Sequence, residues 1–123
     1  MRPLLAAAAF AVLAQQPALK RTVLQQVDLS SPGKEAVTAR AELPPGASSG
    51  KHTHPGEELG YVLEGSLKMT VGADGGTRQL KAGEAFAIPA GAVHEATNTG
   101  AGPAVVVSTY VVEKGKPLAS PAK

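Results

Sequence analysis

Strict alternation of apolar and polar side chains between residues 37 and 43 is the feature that most constrains the fold of this chain. The apolar positions are Val37, Ala39, Ala41 and Leu43, and the polar positions are Thr38, Arg40 and Glu42. Successive side chains of a β-strand point to opposite faces, so a period of two residues indicates a strand with one buried face. The segment is therefore predicted to be a half-buried strand of a sheet.

Other short segments with strand-like composition follow one another along the chain. Strands are predicted at residues 22–29, 52–54, 58–64, 67–71, 77–80, 85–88, 93–97 and 104–112. Residues that favour turns lie between them, as in the Gly-rich loop at residues 72–76. Because no helical periodicity longer than two turns occurs after residue 14, the pattern predicts an all-β sandwich or barrel.

The first 14 residues differ in composition from the rest of the chain. Arg2 precedes an unbroken apolar run from Leu4 to Leu13, and the small residue Ala14 follows it. This order is typical of a cleaved export signal, and the run is shorter than the about 20 residues that span a bilayer. A buried amphipathic helix is the alternative, but the run has no polar face. We predict a signal peptide at residues 1–14 and a periplasmic or secreted product.

The remainder of the 123-residue chain has the length of one ordinary domain. We assign this domain to residues 15–112 and a C-terminal tail to residues 113–123. The tail is rich in Lys, Pro, Ala and Ser, so we expect it either to be loosely ordered or to lie across the domain as a strap. It carries no recognisable functional signal.

Charge and composition exclude several classes of partner. The net charge of +2 is small, and the only basic pair, Lys20-Arg21, is assigned to a solvated surface. After residue 14 the aromatic residues are Tyr61, Phe86 and Tyr110, too few for a surface that stacks nucleotide bases. We therefore expect neither nucleic acid nor a membrane as partner. Cysteine is missing from the sequence, which excludes disulfides and thiolate ligands.

The three histidines of the chain, together with one glutamate, form a candidate metal site. His52 and His54 would point to the same face of a strand, because they are two residues apart. Glu58 follows four residues after His54, and His94 lies much further along the chain. Three imidazoles and a carboxylate are a suitable ligand set for a divalent metal. Glu57 is the alternative carboxylate, and on a strand it would face away from Glu58.

The histidines lie in two segments in which glycines and polar residues recur at fixed distances. In the first segment the order is Gly46, five residues, His52-x-His54, three residues, Glu58, six residues and Gly65. In the second it is Gly83, five residues, Pro89-x-Gly91, two residues, His94, three residues and Asn98. Both segments match, without a mismatch, the two motifs of the cupin superfamily, and 17 residues separate them. The chain thus resembles a small single-domain bacterial cupin.

The resemblance implies a cupin-type jelly-roll β-barrel of antiparallel strands in a single domain. It also implies a set of four metal ligands, which are His52, His54, Glu58 and His94. The spacing of the motif selects Glu58 over Glu57.

Other motif residues are interpreted as structural. Gly65 and Gly83 lie at strand ends and are expected to serve turns. Residues 89–91 are expected to form a bend that directs His94 inward, and Asn98 is expected to cap a turn with its side chain.

The ligand types leave the metal open among Fe, Mn, Ni, Cu, Co and Zn. Four protein ligands on a six-coordinate ion leave two positions for other molecules. A closed tetrahedral zinc site is the structural alternative.

Two classes of function follow from the resemblance. The ligand set resembles that of dioxygenase-type cupins, which implies a metal-dependent oxygenase acting on a small oxygenated organic substrate, with isomerase or lyase chemistry as a variant. Glu58 would then have a second, catalytic role as a general base. The alternative is a non-catalytic cupin that binds a metal or a small ligand.

Two further expectations concern the pocket and the assembly. The scarcity of aromatic residues predicts a pocket lined mostly by Val, Ala, Leu and Ile. A homodimer is expected, because the N-terminal arm at residues 22–29 could pair with the sheet edge of a partner.

Overall fold

The computed structural model of this protein describes residues 18–72 and 76–123. The predicted signal peptide at residues 1–14 and the centre of the loop at residues 72–76 lie outside the described residues. Within those two ranges, no helix has the length and the hydropathy needed to cross a membrane.

The described residues form ten β-strands. They are β1 (Lys20–Asp28), β2 (Lys34–Leu43), β3 (His52–Thr53), β4 (Gly56–Glu64), β5 (Ser66–Val71), β6 (Gly76–Lys81), β7 (Ala85–Ile88), β8 (His94–Asn98), β9 (Ala104–Glu113) and β10 (Ser120–Pro121). The predicted strands are all present, with ends that differ by a few residues. The largest shift is in β2, which begins at Lys34, ahead of the alternating residues 37–43.

The strands form two five-stranded sheets. The first sheet has the order β1-β2-β9-β4-β7, and the second has the order β10-β3-β8-β5-β6. All neighbouring strands are antiparallel. The predicted all-β jelly-roll barrel is therefore confirmed.

The N-terminal arm pairs within its own chain. β1 is hydrogen-bonded to β2, from Lys20 opposite Glu42 to Asp28 opposite Glu35, with a bulge between Val23 and Gln25. The arm thus extends the first sheet of its own chain. Its other edge is the outer edge of that sheet, so the pairing of the arm with a partner stays a prediction.

The tail takes the strap arrangement of the two that were predicted. Ser120 lies opposite Thr53, and Pro121 lies opposite His52, in the short β10–β3 ladder. The backbone N–H of Ala122 also donates to the carbonyl of Lys51 at 3.0 Å. This strand was not predicted, because an edge segment of two residues has no detectable period.

Apolar residues of the two sheets fill the barrel in two clusters. The large apolar cluster contains Leu43, Ala47, Val62, Leu67, Met69, Leu80, Phe86, Ile88, Ala104 and Val106. The small apolar cluster contains Val37, Ala39, Tyr110 and Val112, with Leu118 of the tail packed against it. Each large aliphatic side chain buried in this way stabilises the fold by about 1.5–3 kcal/mol.

A thin polar layer separates the two clusters along β9. In the middle of this strand, three successive inward-facing residues are Val106 of the large cluster, Ser108, and Tyr110 of the small cluster. On β4 the buried Glu58 precedes Val62 of the large cluster. Burying a carboxylate costs several kcal/mol. The apolar clusters on both sides offset that cost, so the fold tolerates a charged group at this level.

Two glycines of β4 and its turn are required by close packing. A side chain at Gly60 would collide with the ring of Phe86, which lies against the inner face of this strand. At Gly65 the backbone has a φ of +79°, and a side chain would collide with the carbonyl of Pro103. The predicted turn role of Gly65 is therefore confirmed.

Candidate metal centre

Two strands of the second sheet bring the three histidines together. His52 on β3 is the direct cross-strand partner of His94 on β8. Directly opposed residues of an antiparallel pair project to the same face, so both imidazoles point in one direction. His54 follows β3 and lies on the same side as His52. His54 and His94 are buried, whereas His52 is partly exposed.

The imidazoles are close enough to share one ion. Their potential ligand atoms all lie within 4.8 Å of one another. The ring centroids of His52 and His94 are 4.1 Å apart, and that of His54 lies 4.8 and 4.9 Å from them. Two nitrogens bound to one ion at about 2.1 Å are at most about 4.2 Å apart. Only small side-chain movements therefore separate the cluster from metal-binding geometry.

Backbone carbonyls fix the orientation of all three rings. The Nδ1 contacts are His52 with Gly50 at 2.8 Å, His54 with Leu118 at 2.6 Å, and His94 with Ala92 at 2.9 Å. A carbonyl oxygen only accepts hydrogen bonds, so each Nδ1 must carry the hydrogen. A neutral ring then has its lone pair on Nε2. Metal-binding histidines are commonly held in this way.

Glu58 approaches the imidazoles from the opposite sheet. Its Oε1 lies 3.2 Å from Nε2 of His54 and 3.2 Å from Nε2 of His94. The other carboxylate oxygen, Oε2, accepts a hydrogen bond from Ser108 Oγ at 2.7 Å. The hydroxyl therefore orients the carboxylate, with one oxygen directed toward the histidines.

When the His54 ring is neutral, its contact with Glu58 contains no hydrogen bond. His54 Nε2 is buried without a hydrogen-bond partner, although Glu58 Oε1 lies 3.2 Å away. Because the hydrogen is on Nδ1, this short distance joins two electron-rich atoms with no proton between them. Buried lone pairs in such an arrangement require a shared cation or an added proton. The donor set therefore fits a divalent metal ion.

The pKa values of Glu58 and His52 suit ligands of a cation. Burial alone would raise the pKa of the Glu58 carboxyl. In the metal-free protein, hydrogen bonds from His54 and His94, each with an added proton on Nε2, and from Ser108 outweigh burial and hold that pKa far below its usual value. A cation bound between the same groups would act in the same direction. Burial lowers the pKa of His52, and the neighbouring histidines lower it further against the opposing contact with Gly50. At neutral pH the carboxyl is therefore ionised and the His52 imidazole is neutral, as metal binding requires.

Tyr110 borders the cluster on the side of the small apolar cluster. Its ring centroid lies 4.6 Å from that of His54. Burial and the charge of Glu58 raise the pKa of Tyr110 to about 12, against the opposing charge of Arg21. The phenol therefore keeps its proton at neutral pH.

An inner cavity of about 40 Å³ opens beside the histidines. Its lining includes His52, Glu58, His94, Ser108 and Tyr110, the apolar residues Leu43, Leu67, Met69 and Phe86, and Arg21 from β1. Leu, Ala and Val supply six of the fifteen lining residues, so the expected aliphatic lining is present but does not make up most of the cavity; two aromatic rings, a thioether and polar side chains complete it. Arg21 was also assigned wrongly to a solvated surface.

The remaining residues of the two motifs have structural roles. Glu57 is exposed and faces away from the buried Glu58, as the alternation predicted. Asn98 is buried and donates from Nδ2 to the carbonyls of Leu43 and Gly102 at 2.8 Å each. The turn function of Asn98 is thereby confirmed. Gly91, in the bend before His94, donates its N–H to the carbonyl of His54 at 3.2 Å.

Besides Arg21, three residues at the site were not identified from the sequence. Ser108 could have been noticed, because it is a hydroxyl on the inward face of a valine-rich strand. Tyr110 was recognised only as one of few aromatic residues. The contribution of Leu118 is made by its backbone carbonyl, so no side-chain pattern could have revealed it.

Comparison with known proteins identifies the family. Residues 39–110 match the family model described as the cupin domain. This match covers more than half of the 123 residues, so the chain belongs to the cupin domain family. The resemblance inferred from the two motifs is confirmed.

Similar proteins from a plant and a bacterium are longer than this chain. A germin-like protein, subfamily 2 member 2, from Arabidopsis thaliana is 41% identical over 76 residues, which is 58% of this chain and 35% of that protein. The transcriptional regulator PuuR from Escherichia coli is 30% identical over 112 residues, which is 78% of this chain and 60% of that protein. The chain thus spans about a third of the germin-like protein's length.

Solved structures show the same architecture. A conserved protein with a double-stranded beta-helix domain from Klebsiella pneumoniae superposes with a TM-score of 0.70 at 25% identity, covering 88% of this chain and 85% of that one. Oxalate decarboxylase from Bacillus subtilis superposes with a TM-score of 0.58 at 30% identity, covering 63% of this chain and 22% of that one.

Replacing Glu58 by Gln is expected to make the free energy of unfolding depend less steeply on pH in the acid range. The folded-state pKa of Glu58 is depressed, so its contribution is complete above the usual Glu pKa of about 4.3 and is lost as the pH falls toward the folded-state pKa. In urea unfolding of metal-free protein, the wild type should lose stability more steeply than Glu58→Gln between about pH 5 and pH 2. At neutral pH the variant should be less stable by about 1–3 kcal/mol.

The matched control for this measurement is Glu57→Gln, which changes the charge of the exposed neighbour. The stability of this control should decrease with falling pH as steeply as that of the wild type. If the wild type and Glu58→Gln lost stability equally steeply, the carboxyl of Glu58 would not be held ionised by its contacts.

Proposed function

We propose that this chain is an exported metal-dependent cupin enzyme of the oxygenase type, acting on a small oxygenated organic substrate. The observation that carries this proposal is the common orientation of the three imidazoles. Each Nδ1 is engaged by a backbone carbonyl, which leaves the Nε2 lone pairs available beside a buried carboxylate.

In this proposal one divalent transition metal is bound by His52, His54, Glu58 and His94. The bound metal would supply Lewis-acid and redox chemistry at the positions that the protein leaves open. The ligand types admit Fe, Mn, Ni, Cu, Co or Zn. A closed tetrahedral zinc site would use the same four residues, but the inner cavity beside them supports a site that other molecules enter.

The surrounding residues keep the ligands in place and limit access of water. Ser108 holds the carboxylate of Glu58 by its hydrogen bond. Leu67, Met69 and Phe86 form apolar walls of the cavity, which lower the local dielectric and strengthen electrostatic interactions there.

The proposed second role of Glu58 as a general base has weaker support than its role as a ligand. A carboxylate with a depressed pKa accepts a proton only weakly, because efficient bases have a pKa near the working pH. Proton transfer to Glu58 would therefore require the substrate to displace it from the histidines. Isomerase or lyase chemistry would make the same demand on this residue.

The non-catalytic alternative rests on a different observation. PuuR, which is named as a transcriptional regulator, matches 78% of this chain, so a domain of this kind can occur in a protein that is not named as an enzyme. Oxalate decarboxylase is named as an enzyme, and it matches 63% of the chain. In the alternative, the cavity of this chain would hold a metal or small ligand without turnover.

Export remains part of the proposal. Residues 1–14 have the order of a signal peptide, and cleavage would give a periplasmic or secreted protein. The intact mass of the protein recovered from that compartment tests it, since an uncleaved N-terminus would contradict the assignment.

We expect each single replacement of His52, His54 or His94 by Ala to remove most of the bound metal. Loss of one of four ligands weakens binding, while the strands that carry the site are held by their apolar clusters. Metal content per chain after dialysis should fall from one ion in the wild type to a small fraction. The affinity of the wild type should also fall below about pH 6.5, as imidazoles become protonated.

The control is Thr53→Ala, which lies between two proposed ligands in sequence and should retain one ion per chain. Circular dichroism of every variant monitors the fold. Full metal occupancy in His94→Ala would show that the ligand set is wrong.

Metal-loaded wild-type protein is expected to consume O₂ with at least one small oxygenated compound. Candidate substrates are enols, diketones, catechols and oxalate, and the rate is compared with that of the free metal at the same concentration. Turnover without O₂ uptake would favour isomerase or lyase chemistry. A tightly held, slowly exchanging ligand without turnover would favour the binding module over the enzyme.

The protein is expected to form a homodimer through the outer edge of β1. This strand is an edge of the first sheet, and it exposes Val23, Leu24 and Val27 at 50–55%. Long apolar sheet edges favour pairing with another chain. Light scattering should give the mass of a dimer at micromolar concentration, and Leu24→Lys should shift it toward the monomer. A monomeric wild type would exclude this assembly.

A further inference from the structure

Arg21 lies on the inner face of β1 and reaches the cavity beside the histidines. Its cross-strand partner is Ala41 of β2, and cross-strand partners project to the same face of a sheet. Ala41, Glu58 and Tyr110 all line the inner cavity together with Arg21. Of the basic pair Lys20-Arg21, which the sequence analysis assigned to a solvated surface, Arg21 thus lies at the candidate metal centre.

The guanidinium of Arg21 is incompletely satisfied. Its Nε is buried without a hydrogen-bond partner. Within residues 18–72 and 76–123, no carboxylate forms an ion pair with it, whereas Arg40 on the outward face of β2 pairs with Glu42 at 3.2 Å. Leaving a buried donor of a charged group unpaired is costly. A fold that keeps this group beside a cavity therefore offers it to a ligand.

The approach to the cavity is also positively charged. An outer entrance shares Leu19, Arg21, Ser49 and His52 with the inner cavity, and its other lining residues are Gly50, Lys51, Ala119, Ser120 and Pro121. Arg21 and Lys51 are both cationic, and none of these described lining residues is acidic. A cleft of one charge sign concentrates ligands of the opposite sign and speeds their entry.

We propose that Arg21 binds the carboxylate of the substrate, so that the substrate class of this site is small organic carboxylates. This inference rests on the proposed function, because it takes the metal centre as the place where the substrate reacts. One end of the molecule contacts the guanidinium, and the other end faces the histidines and Glu58.

The geometry of the guanidinium and the size of the cavity restrict the ligand further. A guanidinium presents a planar fork of N–H donors that matches the two oxygens of a carboxylate. The inner cavity of about 40 Å³ has room for about three water-sized groups. The substrate is therefore a carboxylate of few heavy atoms. The apolar walls formed by Leu67, Met69 and Phe86 enclose it between the guanidinium and the histidines.

The test measures equilibrium binding of a small anion and its neutral analogue. Acetate and acetamide have the same size and shape and differ in charge, and sulfate represents inorganic anions. Affinities are measured by ligand-observed NMR on the metal-free protein and by visible absorption on the cobalt(II)-loaded protein. Neither readout depends on turnover.

The variants are Arg21→Gln, Arg21→Lys and the matched control Arg40→Gln, which removes a cation from the outward face of β2. Wild-type protein should bind acetate at least about tenfold more tightly than acetamide. Arg21→Gln should lose that preference, and Arg40→Gln should keep it within about twofold. Arg21→Lys should retain part of it, because the charge remains while the planar fork is lost. If circular dichroism shows that Arg21→Gln does not fold, Arg21→Lys is the variant that tests the proposal.

The possible failures of the two proposals are distinguishable. If acetate binds equally well to the wild type and both Arg21 variants, Arg21 does not recognise carboxylates, whether or not the protein consumes O₂. If sulfate binds the wild type as tightly as acetate, the carboxylate assignment is overturned in favour of an inorganic anion. Arg21-dependent acetate binding in a protein without turnover would support this inference and contradict the enzymatic function.

Discussion

The hydrogen bonds from imidazole Nδ1 to backbone carbonyls determine what this barrel can bind. They join side chains to Gly50, Ala92 and Leu118, so each ring is oriented by the main chain. Nε2 of His54 and Nε2 of His94 then lie 3.2 Å from a carboxylate that Ser108 holds in place. Since the carbonyls fix the tautomer, the lone pairs cannot be satisfied by a simple change of proton position. A cation is the partner that satisfies all of them together.

This arrangement depends on the layered interior of the barrel. A buried carboxylate with a depressed pKa is tolerated because the apolar clusters on either side supply most of the stabilisation. The same strands form both kinds of layer, since β9 passes from Val106 through Ser108 to Tyr110. The polar layer is therefore one residue thick on this strand, and a shift of register by one residue would turn Ser108 outward.

Much of the fold could be predicted because its signals are local. The alternation in β2 and the turn residues around the strands indicated an antiparallel barrel, and fixed spacings in the two motifs brought His52 and His94 into one site. The ligand role of these residues stays a prediction. What the sequence could not reveal depends on contacts between distant segments. The tail contributes a carbonyl to His54 across 64 positions, and backbone groups are identical at every residue.

The position of the Arg21 side chain is another feature of the site that could not be predicted from the sequence. In the sequence, Lys20-Arg21 is an ordinary basic pair, and a charged pair usually lies in solvent. Pairing of β1 with β2 sets Arg21 opposite Ala41 and Lys20 opposite Glu42, so the two neighbours fall on opposite faces of the sheet. The small side chain of Ala41 leaves room for the guanidinium to extend over the inner face. The register between β1 and β2 thus determines that Arg21, and not Lys20, faces the cavity. This register cannot be read from the two residues by themselves.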